Sequence, residues 1–379
     1  MIISWMGVLF MNSILGIINL NEEENKLVEL TYNRPIAAIP FGGRFRIIDF
    51  TISNMVNSGI NHVFIFTRDK YRSVTDHIQT GRAWDLERKN KGIFIFNPLQ
   101  NFYSNVRSSD MDIISDYLDY IYYAKEKYVV ISPSYMISTI NYKEMLKKHK
   151  ENKADISVAY KKIDSSTDEF KKCDSLAIDE DGKAIDFICN KKGPKNVFME
   201  TIMMERKLFM DIINKKILGA DNDLLKDAVF QLKNNLKINT YEYDGYLARI
   251  ASVKSYYQRN IELLSEDVMN TLFSDTWPVF TKAKDEPPTK YQMNAQVTNS
   301  LIASGCCIDG KVENSVVFRR VTVKPGAKLN YCITMQNSKI EEDALLEHVI
   351  LDKNVVITKG KIIKGTSDNP IIIEKNQII

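Results

Sequence analysis

The chain has 379 residues, of which 44% are hydrophobic and 26% are charged. This composition is typical of a soluble folded protein and excludes wholesale disorder and collagen-like repeats. The 51 lysines and arginines and the 48 aspartates and glutamates leave a formal net charge of +3, which is too balanced for a protein that coats nucleic acid. The length suggests two or three domains.

Cysteine and histidine usage predicts the compartment. The five cysteines form no CxxC pair and only four histidines are present, so we expect neither a disulfide framework nor a zinc site, and a reducing, cytoplasmic location. Residues 1–10 are apolar, but they are too short to span a bilayer and lack the basic start of a signal peptide. We expect them to precede the native start of the protein, and the alternatives are a short extra strand or an anchor. No other run is long and apolar enough to cross a membrane, so we expect the protein to have no membrane partner.

Short apolar runs and helical patterns alternate in the first part of the chain. Runs typical of buried strands occupy residues 14–18, 62–67, 92–96, 128–131 and 155–160. Helical patterns occupy residues 45–58, 70–80, 110–125, 142–149 and 253–271. Continuous Val/Ile-rich runs separated by helices predict an α/β domain with a Rossmann-like, mostly parallel sheet covered on both faces. A ligand of such a sheet binds beyond the carboxyl ends of its strands.

The pattern changes after the DEPP string at residues 285–288. Aliphatic residues then recur six apart, and small or turn residues fall between them. The aliphatic residues form four groups, within each of which the residues are six apart: Ile302 and Ile308; Val317, Val323, Leu329 and Met335; Ile340 and Leu346; and Ile350, Val356 and Ile362. A six-residue period with aliphatics pointing inward predicts a left-handed parallel β-helix rather than a β-sandwich, whose turns are spaced more widely. The predicted organisation is a first domain at 11–276, a linker at 277–298 and a β-helix at 299–379.

Several strings resemble the glucose-1-phosphate adenylyltransferase (ADP-glucose pyrophosphorylase) family of sugar-phosphate nucleotidyltransferases. NRP at 33–35, PFGGRFRIIDF at 40–50 and SNMVNSGI at 53–60 carry the resemblance, and DLLKD at 223–227 is similar to the family's D-F-G-K-D segment. Gly245, Tyr246, Ser255, Tyr256, Tyr257, Asn260 and Leu263 match the end of the family's catalytic domain. KYRS at 70–73, DHI at 76–78 and WDLERK at 84–89 resemble the GlgD-type subunit, which accompanies a catalytic GlgC-type subunit in Gram-positive bacteria.

The resemblance implies a reaction that most of this chain's site residues do not suit. The family joins ATP and glucose 1-phosphate into ADP-glucose and diphosphate, using a glycine-rich loop, lysines and a carboxylate-held Mg²⁺. An ungapped alignment places Ile17, Ile18 and Leu20 at the loop glycines and Glu22 at its arginine, and no glycine occurs between Gly16 and Gly42. Bulky side chains cannot make the close backbone approach to phosphate that glycine permits.

Other family positions are also replaced. Ile36 stands at the lysine of the Lys-Pro pair, Tyr135 at the metal-binding aspartate, Cys189 and Asn190 at the Glu-Lys of the sugar-phosphate motif, Glu200 at a glycine and Arg249 at an aspartate. The family's D-F-G-K-D aspartate is retained as Asp227, which is alternatively a helix-surface residue. One carboxylate is a poor Mg²⁺ site. We therefore expect no catalytic site and no metal or other cofactor in this chain, and Mg²⁺ in a catalytic partner.

Arginines around the PFGG string are the candidate effector site. By the resemblance, Arg34, Arg44 and Arg46, with Arg72 as a weaker candidate, bind an anionic sugar phosphate or nucleotide through their guanidinium groups. The alternative is that these arginines form ion pairs between domains or subunits.

Three hypotheses of function remain at this point. The first is a catalytically impaired regulatory subunit that assembles with a catalytic glucose-1-phosphate adenylyltransferase in glycogen biosynthesis. The second is an active adenylyltransferase with divergent site residues. The third, suggested by the six-residue repeat, is an acyltransferase that would use the only β-helix histidine, His348, as a general base, although a histidine at a coil edge is the simpler interpretation.

Overall fold

The computed structural model describes residues 13–20, 26–68, 70–97, 110–163, 168–171, 173–188, 195–214, 229 and 231–379. Residues 1–10 lie outside these ranges. The chain divides into two compact units, and neither is continuous in sequence. In the described residues, the first unit takes 13–20, 50–247 and 277–280, and the second takes 26–49, 248–276 and 281–379. Segments 26–49 and 248–276 thus pack with the β-helix although they precede the predicted linker.

The elements before the β-helix alternate as the sequence predicts. The strands are β1 (Ile14–Asn19), β2 (Pro40–Phe41), β3 (Phe45–Arg46), β4 (His62–Phe66), β5 (Gly92–Phe96), β6 (Tyr128–Pro133), β7 (Met136–Ser138), β8 (Ile156–Ile163), β9 (Ser175–Ile178), β10 (Ala184–Ile188), β11 (Lys195–Glu205), β12 (Ile238–Glu242) and β13 (Leu247–Arg249). The helices are α1 (Val28–Thr31), α2 (Ile47–Asn57), α3 (Arg72–Ile78), α4 (Asp110–Asp116), α5 (Leu118–Tyr123), α6 (Tyr142–Glu151), α7 (Arg206–Asn214), α8 (Val253–Glu262) and α9 (Glu266–Leu272).

The first unit is built on a nine-stranded sheet of the described residues. The predicted parallel core is confirmed, because β6, β1, β4 and β5 run parallel in that order. Beyond β6 the sheet is mixed: β11 is antiparallel to both β6 and β8, and β8 pairs parallel to β12. The sheet is therefore mostly parallel, with β6, β1 and β4 inside it and β5 at one edge.

Successive residues of β1 face opposite sides of the sheet, and both sides are covered. Leu15 and Ile17 join the core formed with Ile113, Ile114 and other apolar residues of α4 and α5. On the other side Gly16 faces α2, where a Cβ at this position would meet the sulfur of Met55 at 2.6 Å. Glycine is required here because it lets the helix approach the strand closely.

Two segments predicted as single helices are each divided in two. The segment 110–125 breaks at Tyr117, which separates α4 from α5. The segment 253–271 breaks after Glu262, the last residue of α8. Leu263 is the C-cap of α8, and Ser265 is the N-cap of α9. In α8, Ser252 and Ser255 form a capping box that fixes where the helix begins.

The predicted β-helix is confirmed as three five-stranded parallel sheets. Its strands are β14 (Lys290–Tyr291), β15 (Gln296–Thr298), β16 (Leu301–Ile302), β17 (Cys307–Ile308), β18 (Lys311–Glu313), β19 (Val316–Val317), β20 (Thr322–Val323), β21 (Lys328–Asn330), β22 (Ile333–Thr334), β23 (Lys339–Ile340), β24 (Leu345–Glu347), β25 (Val349–Leu351), β26 (Val356–Ile357), β27 (Ile362–Lys364) and β28 (Ile371–Ile373). Strands β14 and β15 fall inside the segment predicted as a linker.

The strict six-residue period loses its phase in the later coils. Val323 pairs with Ile340, seventeen positions on, and Ile340 pairs in turn with Ile357, so one side of each coil has five residues instead of six. The prediction that Val356 and Ile362 point inward is therefore wrong: Ile357 and Ile363 join the interior, and Ile362 is 65% exposed. For the same reason Met335 and Ile350, though buried, lie outside the interior cluster. Among the described residues, no helix combines the length and apolar character that crossing a bilayer requires.

A buried charge cluster stabilises the first unit. The carboxylate of Glu126 is 1% exposed and lies 3.2 Å from Nδ1 of His62 and 2.8 Å from Nζ of Lys91. Burial alone raises the pKa of this carboxyl group, but the hydrogen bonds and charges of His62 and Lys91 outweigh burial and lower it to about 2.

The interior position of Val323 gives a test of the β-helix. We expect Val323→Asp to unfold the β-helix, because an unpaired carboxylate in the interior costs several kcal/mol. Val356→Asp is the matched control, since this side chain is only partly buried and lies outside the interior cluster, and it should change the melting temperature little. Circular dichroism melts compare the two variants. Equal losses would contradict the corrected phase of the repeat.

The Glu126 cluster predicts an acid-dependent loss of stability. Its lowered pKa contributes about 3 kcal/mol that is complete above pH 4.5 and is lost as the pH falls from 4.5 towards 2. Glu126→Gln should lower the free energy of unfolding at neutral pH by that amount and remove this part of the pH dependence. Glu205→Gln, which breaks a more exposed pair with Lys127, should cost under about 1 kcal/mol. Denaturant titrations at several pH values measure both effects.

Candidate functional site

Ile17 and Ile18 do not lie in a loop after β1. Both residues lie inside the strand and are fully buried, and the N–H of Leu20 donates to the carbonyl of Phe66 at 2.9 Å. The strand predicted at residues 14–18 is thus confirmed, and the two positions that the alignment matches to loop glycines are strand residues in this chain. Residues 21–25, where a loop would follow, lie outside the described residues. No shift of the alignment places a glycine directly after β1, since none occurs between Gly16 and Gly42.

A tyrosine and a glutamate meet at the carboxyl end of β6. Tyr135, at the position of the family's metal-binding aspartate, is 7% exposed, and its hydroxyl donates to the carboxylate of Glu200. Glu200 lies where the register of β11 shifts, and its φ of 52° is in the left-handed region that favours glycine. Two replaced family positions that are far apart in the sequence are therefore in direct contact in the fold.

Hydroxyl groups join the same strands beside this contact. Ser132 and Thr201 have their side-chain oxygens 3.1 Å apart, and the hydroxyl of Tyr142 donates to Ser132 at 3.0 Å. Within the described residues, no three histidine, cysteine, aspartate or glutamate side chains come close enough to hold a metal ion. Mg²⁺ prefers a near-octahedral set of oxygen ligands that includes carboxylates, and a phenol bonded to one glutamate does not supply that set. The described side chains at this edge thus do not fit the family's metal.

The structure describes two of the other family positions, Ile36 and Arg249, and does not describe the rest. Ile36 is 1% exposed in the 3₁₀ helix Ile36–Ala38, so an aliphatic side chain now fills the lysine position. Arg249 ends β13. Asn190 and Asp227, with Glu22 and Cys189, lie outside the described residues.

The PFGG string forms a hairpin that is fixed to α8. Strands β2 and β3 pair around Gly42 and Gly43, whose φ values of 57° and 78° favour glycine. The N–H of Gly42 donates to the side-chain oxygen of Asn260 at 3.0 Å, and the hydroxyl of Tyr256 donates to the carbonyl of Pro40 at 2.7 Å. These contacts give several family-like residues a structural role that does not depend on catalysis.

Arg34 is buried in an ion pair within the second unit. Its guanidinium donates to the carboxylate of Asp352 and to the carbonyl of Leu30, and the two charged side chains are 6% and 4% exposed. Of the two interpretations given above, the ion-pair one describes Arg34, and it is therefore removed from the effector candidates.

Arg44 and Arg46 face further cations that the sequence did not reveal. Arg44 is exposed, with its guanidinium carbon 5.0 Å from the centre of the Phe45 ring. Burial and the positive charge of Arg44 lower the pKa of Arg319. Burial, followed by the charges of Arg46 and Arg34, lowers the pKa of Lys353 to about 7.

The cationic cluster of Arg44, Arg46, Arg319, Lys353 and Lys375 is thus a feature of the second unit. Lys375 is exposed and its charge also lowers the pKa of Lys353. Asp352, Asp49 and Glu286 oppose these effects. No motif in the sequence marks Arg319, Lys353 or Lys375, because these residues lie on separate coils of the β-helix.

Two remaining candidates are placed elsewhere. Arg72 is exposed at the first residue of α3, in the first unit, whereas Arg44 and Arg46 belong to the second. His348 accepts or donates a hydrogen bond at 2.7 Å to the hydroxyl of Tyr257, and its ring stacks on Tyr331. A histidine engaged in this way is a coil-edge residue rather than a free general base.

Comparisons with known proteins agree with both halves of the fold. A nucleotidyl transferase family model matches residues 24–173, and a model of the GlmU-like C-terminal hexapeptide matches residues 287–369. The glycogen biosynthesis protein GlgD of Bacillus subtilis (strain 168) is 36% identical over 370 residues, which cover 98% of each chain.

Two further relatives extend the comparison. GlgD of Geobacillus stearothermophilus is 36% identical over 97% of each chain. The glucose-1-phosphate adenylyltransferase of Bacillus mycoides (strain KBAB4) is 31% identical over 92% of this chain and 95% of its own. With such identity along nearly the whole chain, and with a mostly parallel sheet followed by a hexapeptide β-helix, this protein belongs to the glucose-1-phosphate adenylyltransferase family and is of the GlgD type.

Proposed function

We propose that this chain is a regulatory, catalytically impaired subunit in glycogen biosynthesis that assembles with a catalytic glucose-1-phosphate adenylyltransferase. The observation that carries the proposal is the contact between Tyr135 and Glu200. It fills the edge of the sheet at the family's metal-binding position with a phenol and a single carboxylate. Without a bound divalent cation, the charge that develops during phosphoryl transfer loses its main stabilising group.

The sequence after β1 supports the same conclusion. A nucleoside triphosphate needs backbone N–H groups that approach its phosphates closely, and glycine makes that approach possible. Residues 21–25 read Asn-Glu-Glu-Glu-Asn, which offers no glycine and places three carboxylates where a polyanion would bind. Repulsion between these charges and the triphosphate works against catalysis by this chain.

What remains intact supports a role through assembly. The glycine hairpin, its bonds to α8 and the β-helix all keep the family's scaffold while the replaced residues lie at the catalytic edge. A folded subunit of this kind can alter a partner's activity if it contacts the partner's two conformations with different free energies. No chemistry in the regulatory subunit itself is required for that.

The cationic cluster is where we propose that an anionic effector, a sugar phosphate or a nucleotide, binds. Arginine and lysine groups bind phosphate oxygens through charge-assisted hydrogen bonds. Burial and the charge of Arg46 make the protonated form of Lys353 unfavourable, and its pKa is therefore lowered to about 7. A bound anion would neutralise the surrounding positive charge and reduce this unfavourable free energy. The proposed effector site therefore includes Arg44 and Arg46, whereas Arg34 forms the buried ion pair with Asp352.

An active adenylyltransferase with divergent residues remains the second candidate. It is favoured by the retained Asp227 and by the similarity to a glucose-1-phosphate adenylyltransferase of Bacillus mycoides. The two candidates differ in what the isolated chain does with ATP, glucose 1-phosphate and Mg²⁺.

We expect the purified chain alone to form ADP-glucose at a background rate. Co-expressed with the catalytic subunit of its own organism, it should co-elute as a hetero-oligomer and change the partner's rate or effector response. Diphosphate release and size-exclusion chromatography measure these outcomes.

Two controls separate the candidates. A mixture with a catalytically dead partner should be inactive, and Asp227→Asn in this chain should leave the mixed complex unchanged. Turnover by the chain alone that Asp227→Asn abolishes would establish the active-enzyme candidate instead. Failure of the two subunits to co-elute, with unchanged partner kinetics, would rule out the regulatory role.

The effector proposal predicts a particular pH dependence. An anion favours the protonated form of Lys353, so sulfate, whose charge is constant in this range, should bind more weakly as the pH rises through about 7. Lys353→Met should weaken binding and remove this dependence. The same variant should raise the free energy of unfolding most below pH 7, where the wild-type lysine is buried and charged, and progressively less as the pH rises. Isothermal titration and denaturant melts test both; Lys361→Met, on an exposed lysine, is the control.

A further inference from the structure

One edge of the β-helix carries a column of residues in the left-handed conformation. Asn299, Asn314, Tyr331 and His348 have φ values of 44°, 48°, 51° and 51°. The N–H groups of the last three donate to the carbonyls of Thr298, Glu313 and Asn330, which directly precede the column member of the previous coil. These four residues therefore occupy one equivalent position on successive coils.

Asparagine is the ordinary occupant of such a position, and the column changes from asparagine to aromatic residues partway along. The side chain of Asn299 donates to Asn314 at 2.7 Å, which extends the column by a hydrogen bond. A second column, with Asn337, Asn354 and Asn376, keeps asparagine throughout its later coils.

Tyr331 and His348 both bring rings into this conformation, which asparagine, aspartate and histidine adopt more readily than other side chains, so Tyr331 is the strained member of the pair. Their rings stack with centres 5.1 Å apart and planes 10° from parallel. Strained residues of this kind persist where the surroundings hold them and are concentrated at binding sites. The hydroxyl of Tyr257 in α8 holds both, bonding to the carbonyl of Tyr331 at 2.9 Å and to Nδ1 of His348 at 2.7 Å.

The stacked pair lines a cavity within the second unit that is about 580 Å³ in volume and open to solvent. The other lining residues are Tyr257, Gln258, Ile261, Glu262 and Ser367. This volume lies within the range of small-molecule sites. Tyr331 keeps 36% of its surface exposed, so part of its ring is available to a ligand.

The lining chemistry selects the class of ligand. Flat aromatic rings suit a ligand with an apolar face, while the amide of Gln258, the carboxylate of Glu262 and the hydroxyl of Ser367 suit hydroxyl groups around its edge. None of the lining residues is a lysine or an arginine, and the nearby Arg259 is ion-paired with Glu262. This charge balance disfavours a phosphorylated ligand, in contrast to the cationic cluster.

We propose that this cavity binds a neutral pyranose sugar, with the ring of Tyr331 against the C–H face of the sugar and Glu262 and Gln258 bonded to its hydroxyls. The site is separate from the cationic cluster in chemistry and does not depend on the proposed regulatory role. It would give this chain a response to unphosphorylated carbohydrate.

Saturation-transfer NMR with maltotriose tests the proposal on the full chain. We expect signal transfer to the sugar ring protons of maltotriose, and an affinity lowered about tenfold or more in Tyr331→Asn. Asparagine already occupies this position on two other coils, so the variant should keep the wild-type melting temperature. Tyr331→Phe should retain binding, and Tyr291→Asn, at an exposed tyrosine outside the cavity, should leave it unchanged.

Three results would overturn the assignment. One is the absence of transfer to maltotriose in the wild-type chain, and another is equal transfer in Tyr331→Asn. The third is a stronger signal from adenosine that Tyr331→Asn removes, which would make the cavity a nucleoside site instead.

Discussion

Removing an arginine and an aspartate from water costs several kcal/mol for each ion, and the cost is recovered only where geometry and further hydrogen bonds satisfy both groups. Arg34 and Asp352 meet that condition: Leu30 accepts a second bond from the arginine, and the N–H of Lys353 donates to the aspartate at 2.7 Å. The pair ties the segment before the PFGG hairpin to the last coils of the β-helix. It also places Lys353 beside positive charges, so that the scaffold itself contributes to the lowered pKa of this lysine.

In this chain, the contacts that hold the scaffold are distinct from the replaced residues at the edge of the sheet. The residues that hold the hairpin against α8 do so through backbone carbonyls, amides and buried hydroxyls, none of which requires a substrate. At the edge of the sheet, the family's metal position is instead closed by a tyrosine that bonds to a glutamate in the left-handed region. The first set of contacts stabilises the family's fold, and the second brings a phenol and a carboxylate together at the end of β6.

The sequence predicted the architecture well because both halves depend on periodic burial. Runs of valine and isoleucine identify central parallel strands, and the six-residue period identifies the β-helix. The sequence did not predict that Val356 points away from the interior. A coil shortened by one residue changes which later side chains point inward without changing the composition. The pairing of Tyr135 with Glu200 and the position of Lys353 depend on contacts between distant segments. The burial pattern placed Ile17 correctly in a strand, although the ungapped alignment matched it to a loop glycine of the family.

The discontinuous second unit has a consequence for synthesis of the protein. Arg34 and Asp352 are 318 residues apart, and the ribosome adds roughly 5–20 residues per second, so the arginine emerges on the order of tens of seconds before its partner exists. During that interval the segment around the PFGG hairpin has apolar side chains and a cation but no β-helix to cover them. Completion of this unit must therefore await the end of translation, and a nascent chain that stalls within the last coils exposes the surface on which chaperones and proteases act.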